Sequence, residues 1–339
     1  MMMNLQQFLM QETATPISDD ITVIKKGFIA PLRDLGLTQV TGDDAVNFLH
    51  NQLTNDVEHL GVNEARLAAY CSPKGRILAS MFFWKTNEDI FLQMSSTLQS
   101  AIQKRLQMFV MRAKVQLVNV SSDYCVVGLG GETAGTVLRQ WFPQLPIDTY
   151  GKVDNAFGTL IRMADAFGQA RYQWITKTKI LDDNWPILQQ QLTPVNDNVW
   201  RFAEIMAGIP HIIDVTQEKF VPQMVNFELI GGVNFKKGCY PGQEIVARSQ
   251  YLGKLKRRMS IAVIRSSDVQ AGMDVFSEND ITQPCGMIVN ATAHGVGESV
   301  CLVELKVADQ ETGSVHLGNA AGATLRFLPL PYPMLDVTQ

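Results

Sequence analysis

Asn234-Phe235-Lys236-Lys237-Gly238-Cys239-Tyr240-Pro241-Gly242-Gln243-Glu244 is the stretch on which the fold of this chain turns. Asn234-Phe235 ends an extended run. Gly238 frees the backbone just before Cys239. Pro241 and Gly242 form a turn into a helix predicted from about Gln243 to Tyr251. Cys239 is thereby expected near a helix N-terminus, beside Lys236 and Lys237. A positive helix end and nearby ammonium groups both favour a thiolate over a thiol. A thiolate attacks electrophiles, binds metal or responds to oxidants. The same local sequence also suits a cysteine buried in a glycine-rich turn. Glu244 and Arg248 are four apart on the predicted helix, the spacing of a surface pair worth a few tenths of a kcal/mol. Gln243 points an amide either at the site or at water.

Working outward, residues 236 to 258 hold seven Lys or Arg against one acid, in a chain of net charge −4. Beyond Lys237 and Arg248, this basic patch comprises Lys236, Lys254, Lys256, Arg257 and Arg258. Such a cluster holds an anionic tail or RNA phosphates, or it protects a strand edge from aggregation. Upstream, Pro222-Gln223-Met224-Val225-Asn226 places two amides close to the thiol segment. Gln223 and Asn226 can hydrogen-bond a polar ring, or close a loop. Trp200 lies in a segment predicted as a helix over 199–206. Its ring suits stacking on a flat heterocycle and suits core packing equally well.

The chain has 339 residues, 46% hydrophobic and 18% charged, an ordinary globular composition too long for one simple core. Thr41 to Leu53 reads as a helix capped by Thr41. Ala65 to Cys71 and Arg76 to Lys85 read as a hairpin about Ser72-Pro73-Lys74-Gly75. A second round of mixed strands and helices follows to about residue 206, giving two successive α+β units. After about residue 255, short apolar runs separated by Gly, Asn and Asp, without helical period, favour a small antiparallel β-domain. The first twenty-four residues contain no Lys or Arg, which argues against a secretory signal. No apolar run approaches the roughly 20 residues of a membrane span. A cytoplasmic protein is expected. The five cysteines (71, 125, 239, 285 and 301) include no Cys-x-x-Cys pair, so no metal site is expected.

Lys237-Gly238-Cys239-Tyr240 with Gly242-Gln243-Glu244 resembles the signature of the YgfZ-type folate-binding proteins in the glycine-cleavage T-protein superfamily. The likeness extends to Val246-Ala247-Arg248, and upstream to Pro222, Gln223, Asn226, Gly231, Gly232 and Phe235. It also takes in Gly42-Asp43-Asp44-Ala45, Thr54-Asn55-Asp56-Val57 and Tyr70-Cys71-Ser72-Pro73-Lys74-Gly75-Arg76. The resemblance implies an α+β fold, a three-domain cloverleaf of two ferredoxin-like α+β domains plus a C-terminal antiparallel β-barrel. The expected segments are 1–118, 119–253 and 254–339, the first of them open to being discontinuous. It implies tetrahydrofolate or a derivative as ligand, held by Trp200 with Gln223 and Asn226, and Cys239 as a functional thiol. It further implies an accessory role in maintaining iron–sulfur enzymes and in tRNA methylthiolation. A tRNA methylthiotransferase is then one partner and tRNA a second candidate, with no membrane partner. A folate-dependent aminomethyl or methyl transferase and a non-catalytic RNA-binding module are the alternatives. Two positions depart from the pattern. Met206 stands where relatives carry Glu before Ala207-Gly208, and Leu35 where a relative can carry Trp. Glu204, two residues along the helix from 206, is expected to point elsewhere.

Overall fold

The structure, a computed structural model, describes residues 21–86, 89–251 and 255–334. Lys254 lies outside them. A short helix, α1 (Ile21–Lys26), leads into β1 (Phe28–Pro31), whose four residues are all buried. Then follow β2 (Leu35–Thr41), α2 (Ala45–His50), β3 (Ala65–Cys71), β4 (Ile77–Lys85), β5 (Ile90–Ser95), α3 (Ser96–Val110) and β6 (Gln116–Asn119). These five strands, β2 to β6, form an antiparallel sheet in the order β3-β4-β5-β2-β6. Eight of the nine residues of β4 are buried, because α3 covers one face of the sheet and the rest of the molecule the other.

The helix expected over 41–53 is confined to α2. Thr41 ends β2, and Gly42 turns the chain at φ +110 so closely that a Cβ there would stand 2.0 Å from the Lys114 carbonyl oxygen. The Asp44 carboxylate accepts the Lys114 N–H at 2.8 Å instead of capping the helix.

The second layer holds β7 (Tyr124–Gly130), α4 (Ala134–Leu138), β8 (Lys152–Asn155), β9 (Gly158–Ala166), β10 (Gln169–Lys177), α5 (Thr178–Gln191) and β11 (Thr193–Pro194). Its order is β11-β1-β7-β10-β9-β8. Strand β1 thus pairs in the second sheet, antiparallel to β7, although it precedes the whole first sheet in the chain. Trp141, Phe142, Trp174 and Trp185 fill the core between this sheet and its helices.

Helix α6 (Asp197–Met206), capped by the Asn196 side chain, packs against both β1 and β9 and against the third layer. Two single turns, 214–216 and 222–225, lead to α7 (Gln243–Tyr251). The third layer comprises β12 (Arg257–Ile264), β13 (Asp274–Ser277), β14 (Gly286–Ala293), β15 (Ser299–Lys306), α8 (Val307–Thr312), β16 (Val315–Leu317) and β17 (Leu325–Leu328). Its strands run β16-β13-β14-β15-β12-β17, all antiparallel. A bridge between His316 and Thr324 draws the two ends of this curled half-barrel together. Helix α8 was not anticipated from the residue pattern. One continuous core runs from the first sheet through α6 into the inner face of the third.

Candidate functional site

A cavity of about 260 Å3 opens where the three sheets meet, walled by β4, β5, β9, β10, α6 and β14. Leu35, Met81, Phe82, Met163 and Trp200 make most of its wall apolar. Three polar atoms are sealed into that wall without a protein partner: Nε2 of Gln93, Oε1 of Gln173 and Nε2 of His211. An unmet buried polar atom costs roughly 1–3 kcal/mol, so such atoms mark places where a ligand or water completes the bonding. Burial holds the His211 imidazole below its ordinary pKa, which keeps it neutral at pH 7. An amide donor, an amide acceptor and a neutral ring nitrogen in an apolar wall suit a flat heterocycle with an amide edge.

Helix α6 supplies the charged part. Trp200 and Glu204 are four residues apart and share a face. Arg171 donates from Nη1 to the Glu204 carboxylate at 2.6 Å and from Nε to the Ala164 carbonyl at 2.8 Å. Its guanidinium also lies 4.7 Å from the centre of the Trp200 ring. The Arg171 side chain is 2% exposed and that of Glu204 21%, so the carboxylate is compensated yet still lines the cavity. This corrects the expectation for the helix. Glu204 faces the cavity, and Met206 packs against the core without lining it. Trp200 reaches the wall while itself 4% exposed. The bare backbone of Gly128 lies against its ring, where a Cβ would stand 2.3 Å from Cε3.

The other two expected ligand residues lie elsewhere. Gln223 Nε2 donates to the Val246 carbonyl at 2.8 Å, and Asn226 Nδ2 to the Met259 carbonyl at 2.8 Å. Both are fully buried and tie the 222–226 turn to α7 and β12, and neither lines the cavity. No signal in the sequence separated these structural amides from Gln93 and Gln173, which do line it.

The thiol loop lies outside the cavity as well. Lys237 Nζ donates to the carbonyls of His50 and Leu53, closing the C-terminal end of α2, and sits 5.0 Å from the centre of the Tyr240 ring. Gly242, at φ +82, presses on the first hairpin. A Cβ there would stand 2.5 Å from the Ser72 carbonyl oxygen and 2.7 Å from the Gly75 nitrogen. Tyr240 is buried beneath the loop, and Cys239 is exposed. The remaining thiols are less accessible. Burial pushes Cys71 and Cys301 up to about 12 and Cys285 to about 11, and raises Cys125. Helix α7 begins at Gln243 as expected, but no ion pair joins Glu244 to Arg248 among the described residues.

Burial also pushes the Lys237 ammonium down to about 8, against the opposing pull of Asp56, Glu58 and Cys239. A lysine held below its unfolded value of 10.5 releases its proton first in the folded state. Its stabilising contribution is therefore complete above 10.5 and fades as pH falls towards about 8. Between those limits the wild type should gain stability relative to Lys237→Met as pH rises, read as diverging denaturation midpoints. Parallel midpoints would refute this.

The basic cluster does not form one free patch. Arg258 is 5% exposed and pairs with Glu228, while Arg257 pairs with Glu304, itself 1% exposed. Strand β12 carries both arginines against buried carboxylates of its own fold. Lys236, Arg248 and Lys256 remain exposed. Lys236 lines a second, open groove that backs onto the cavity. Leu67 and Tyr150 line both spaces. Of the thiol segment, 236–244, Lys236 alone reaches that groove; Lys237 to Glu244 line neither space.

The GCVT N-terminal domain family matches residues 11–159. The glycine cleavage system aminomethyltransferase T from Bartonella henselae shares the fold with a TM-score of 0.66, over 91% of this chain and 87% of that one, at 15% identity. Three sheets around a central cavity therefore define a protein of the aminomethyltransferase T class of folds. The tRNA-modifying protein YgfZ of Photobacterium profundum is 31% identical over 313 residues, 90% of this chain and 91% of its own length. That of Photorhabdus laumondii is 30% identical over 308 residues, 89% and 92%. The chain belongs to the YgfZ family. Among the described residues, no helix is long and apolar enough to cross a membrane.

Proposed function

We propose that this protein binds a reduced folate in the central cavity and uses Cys239 to support iron–sulfur enzymes that modify tRNA, a tRNA methylthiotransferase among them. The observation that carries the folate half is the set of orphaned polar atoms on Gln93, Gln173 and His211 in a mostly apolar wall. Those groups, with Glu204 and Trp200, would hold the pterin ring. Its amide and amino groups supply the donors and acceptors that such a wall lacks. The volume is near the lower end of small-molecule sites, roughly 300 Å3, which suits a ring system. A bound tetrahydrofolate supplies a carrier of one-carbon units. The chain's own contribution is to orient the ring and exclude water.

Titration of the protein with tetrahydrofolate tests this reading. Gln173→Leu should weaken binding by about 1–3 kcal/mol, because a ligand donor then goes unmet. Failure of the wild type to bind would remove folate from the proposal. The transferase alternative needs a free acid or base beside the folate. Of the carboxylates at the cavity, Glu204 and Asp34 are paired with Arg171 and Arg201, and Asp214 is exposed. That pairing takes Glu204 and Asp34 out of such a role and leaves the neutral His211 as the base a transferase would use there. The engagement of Arg257 and Arg258 within the fold counts against a module that only binds RNA.

A further inference from the structure

We propose that the ridge at the end of α3, formed by Met108, Phe109, Met111 and Arg112, docks the iron–sulfur enzyme that Cys239 serves, seating in an apolar recess rimmed by carboxylates on that partner. The inference rests on the reading of such an enzyme as the partner. Helix α3 buries Leu98, Ile102 and Leu106 against its sheet, so its core-facing stripe ends before the last turn. Beyond it, Met108 is 64% exposed, Phe109 50% and Met111 88%. These neighbouring apolar side chains form a patch that the fold leaves in water. Met111 also stands at φ +43, in the region that side chains rarely adopt and glycine accepts freely. An exposed methionine at that angle adds strain and little packing, so its value lies in what the surface meets.

The charge around the ridge is one-sided. Residues 90–122 contain four Lys or Arg and no Asp or Glu. Lys114 is paired with Asp43, and Arg105 lies against the Tyr70 hydroxyl. Lys104 and Arg112 are exposed, without an ion pair among the described residues. An apolar patch edged by free cations complements an apolar recess edged by acids. Methionine, aromatic and arginine side chains are enriched at protein interfaces, and methionine adapts to an irregular recess. Two free cations are few for an RNA backbone, where binding by charge engages roughly six to ten phosphates. They are few also for an anionic membrane, which draws clusters of about four to eight. The ridge is tied to the thiol loop through α2. The Lys114 N–H donates to the Asp44 carboxylate at the start of α2, at 2.8 Å, and Lys237 bonds the carbonyls of His50 and Leu53 at its end. The six residues of α2 span about 9 Å, at roughly 1.5 Å each. The exposed side chains of Asn47 and Asn51 bond each other and carry no charge. A partner seated on the ridge therefore lies about one short helix away from the loop that carries the exposed Cys239.

The test uses the full chain and the purified tRNA methylthiotransferase of the same organism, with binding read by biolayer interferometry. The wild type should bind, more weakly as salt rises. Met111→Gly removes the tip of the ridge and suits the positive φ, so it should melt no lower than the wild type. Its binding should weaken about tenfold, the usual scale for truncating an interface anchor. Arg112→Glu should weaken binding by a similar factor and flatten the salt dependence. Val296→Gly, which trims an equally exposed side chain between β14 and β15, should change nothing. Both ridge variants should keep wild-type affinity for tetrahydrofolate, because neither residue lines the cavity. Wild-type affinity for the enzyme in both ridge variants, or no binding by the wild type, would overturn the proposal. So would ridge-dependent binding of tRNA alone, or of phosphatidylglycerol vesicles, in place of the enzyme. Cys239→Ala should bind the enzyme normally yet fail in methylthiolation, which separates loss of docking from loss of the thiol.

Discussion

Cys239→Ala is expected to abolish the protein's support of tRNA methylthiolation when it is the only copy in the cell, reducing activity to that of cells lacking the chain. Iron–sulfur enzyme activity should fall with it. The structure makes this a clean test, because Cys239 is exposed and, among the described residues, no hydrogen bond depends on its sulfur. Substitutions at such positions usually change stability by less than about 0.5 kcal/mol. The motif stays docked through Lys237 on the His50 and Leu53 carbonyls and Gly242 against the hairpin, neither of which involves the thiol. Normal melting with lost function would place the defect in the sulfur. Full rescue of methylthiolation by the alanine variant would remove the thiol from the mechanism, leaving the cavity as the working site.

Glu204→Ala should be the most damaging change at the cavity, and for two separable reasons. It strands the Arg171 guanidinium, whose Nη2 already lacks a partner and whose side chain is 2% exposed. Breaking a buried ion pair from one side costs about 3–5 kcal/mol. The partial exposure of Glu204 puts the expected loss at the lower end, visible as a lower denaturation midpoint. It also removes a carboxylate from the pterin edge, so tetrahydrofolate affinity should drop. Glu204→Gln separates the two effects. Its amide oxygen still accepts from Arg171, and its charge is gone. Weaker folate binding with a smaller stability loss is the expected outcome. Unchanged affinity in both variants would show that Glu204 serves Arg171 alone.

Much of this architecture was readable along the chain. The turn at Pro241-Gly242 and the helix behind it fall where local chemistry put them, since glycine, proline and helical spacing act over a few residues. The change to short strands after about residue 255 was equally legible. Glu204 was not, because helical spacing relates it only to Met206 and says nothing of which face meets the cavity. That face was set by Arg171, which lies 33 positions earlier on β10. The buried amides pose the same problem. Gln93 and Gln173 line the cavity and each leaves one buried atom unpartnered, while Gln223 and Asn226 bond backbone carbonyls. All four read alike as polar residues in apolar neighbourhoods. The basic run was misleading for a related reason, since Glu228 and Glu304 neutralise Arg258 and Arg257 only once β12 is in its sheet.

What the sequence determined by itself is the thiol segment: its turn, its helix and its place in the YgfZ family rest on residues 236–244 and their near neighbours. The tertiary structure alone decided that this segment closes on His50 and the first hairpin, outside the cavity. It also decided that the cavity is completed by side chains from three separate sheets. Local conformation follows from bonded geometry and short-range contacts. A site assembled across sheets follows from packing, and packing joins residues that no spacing along the chain connects.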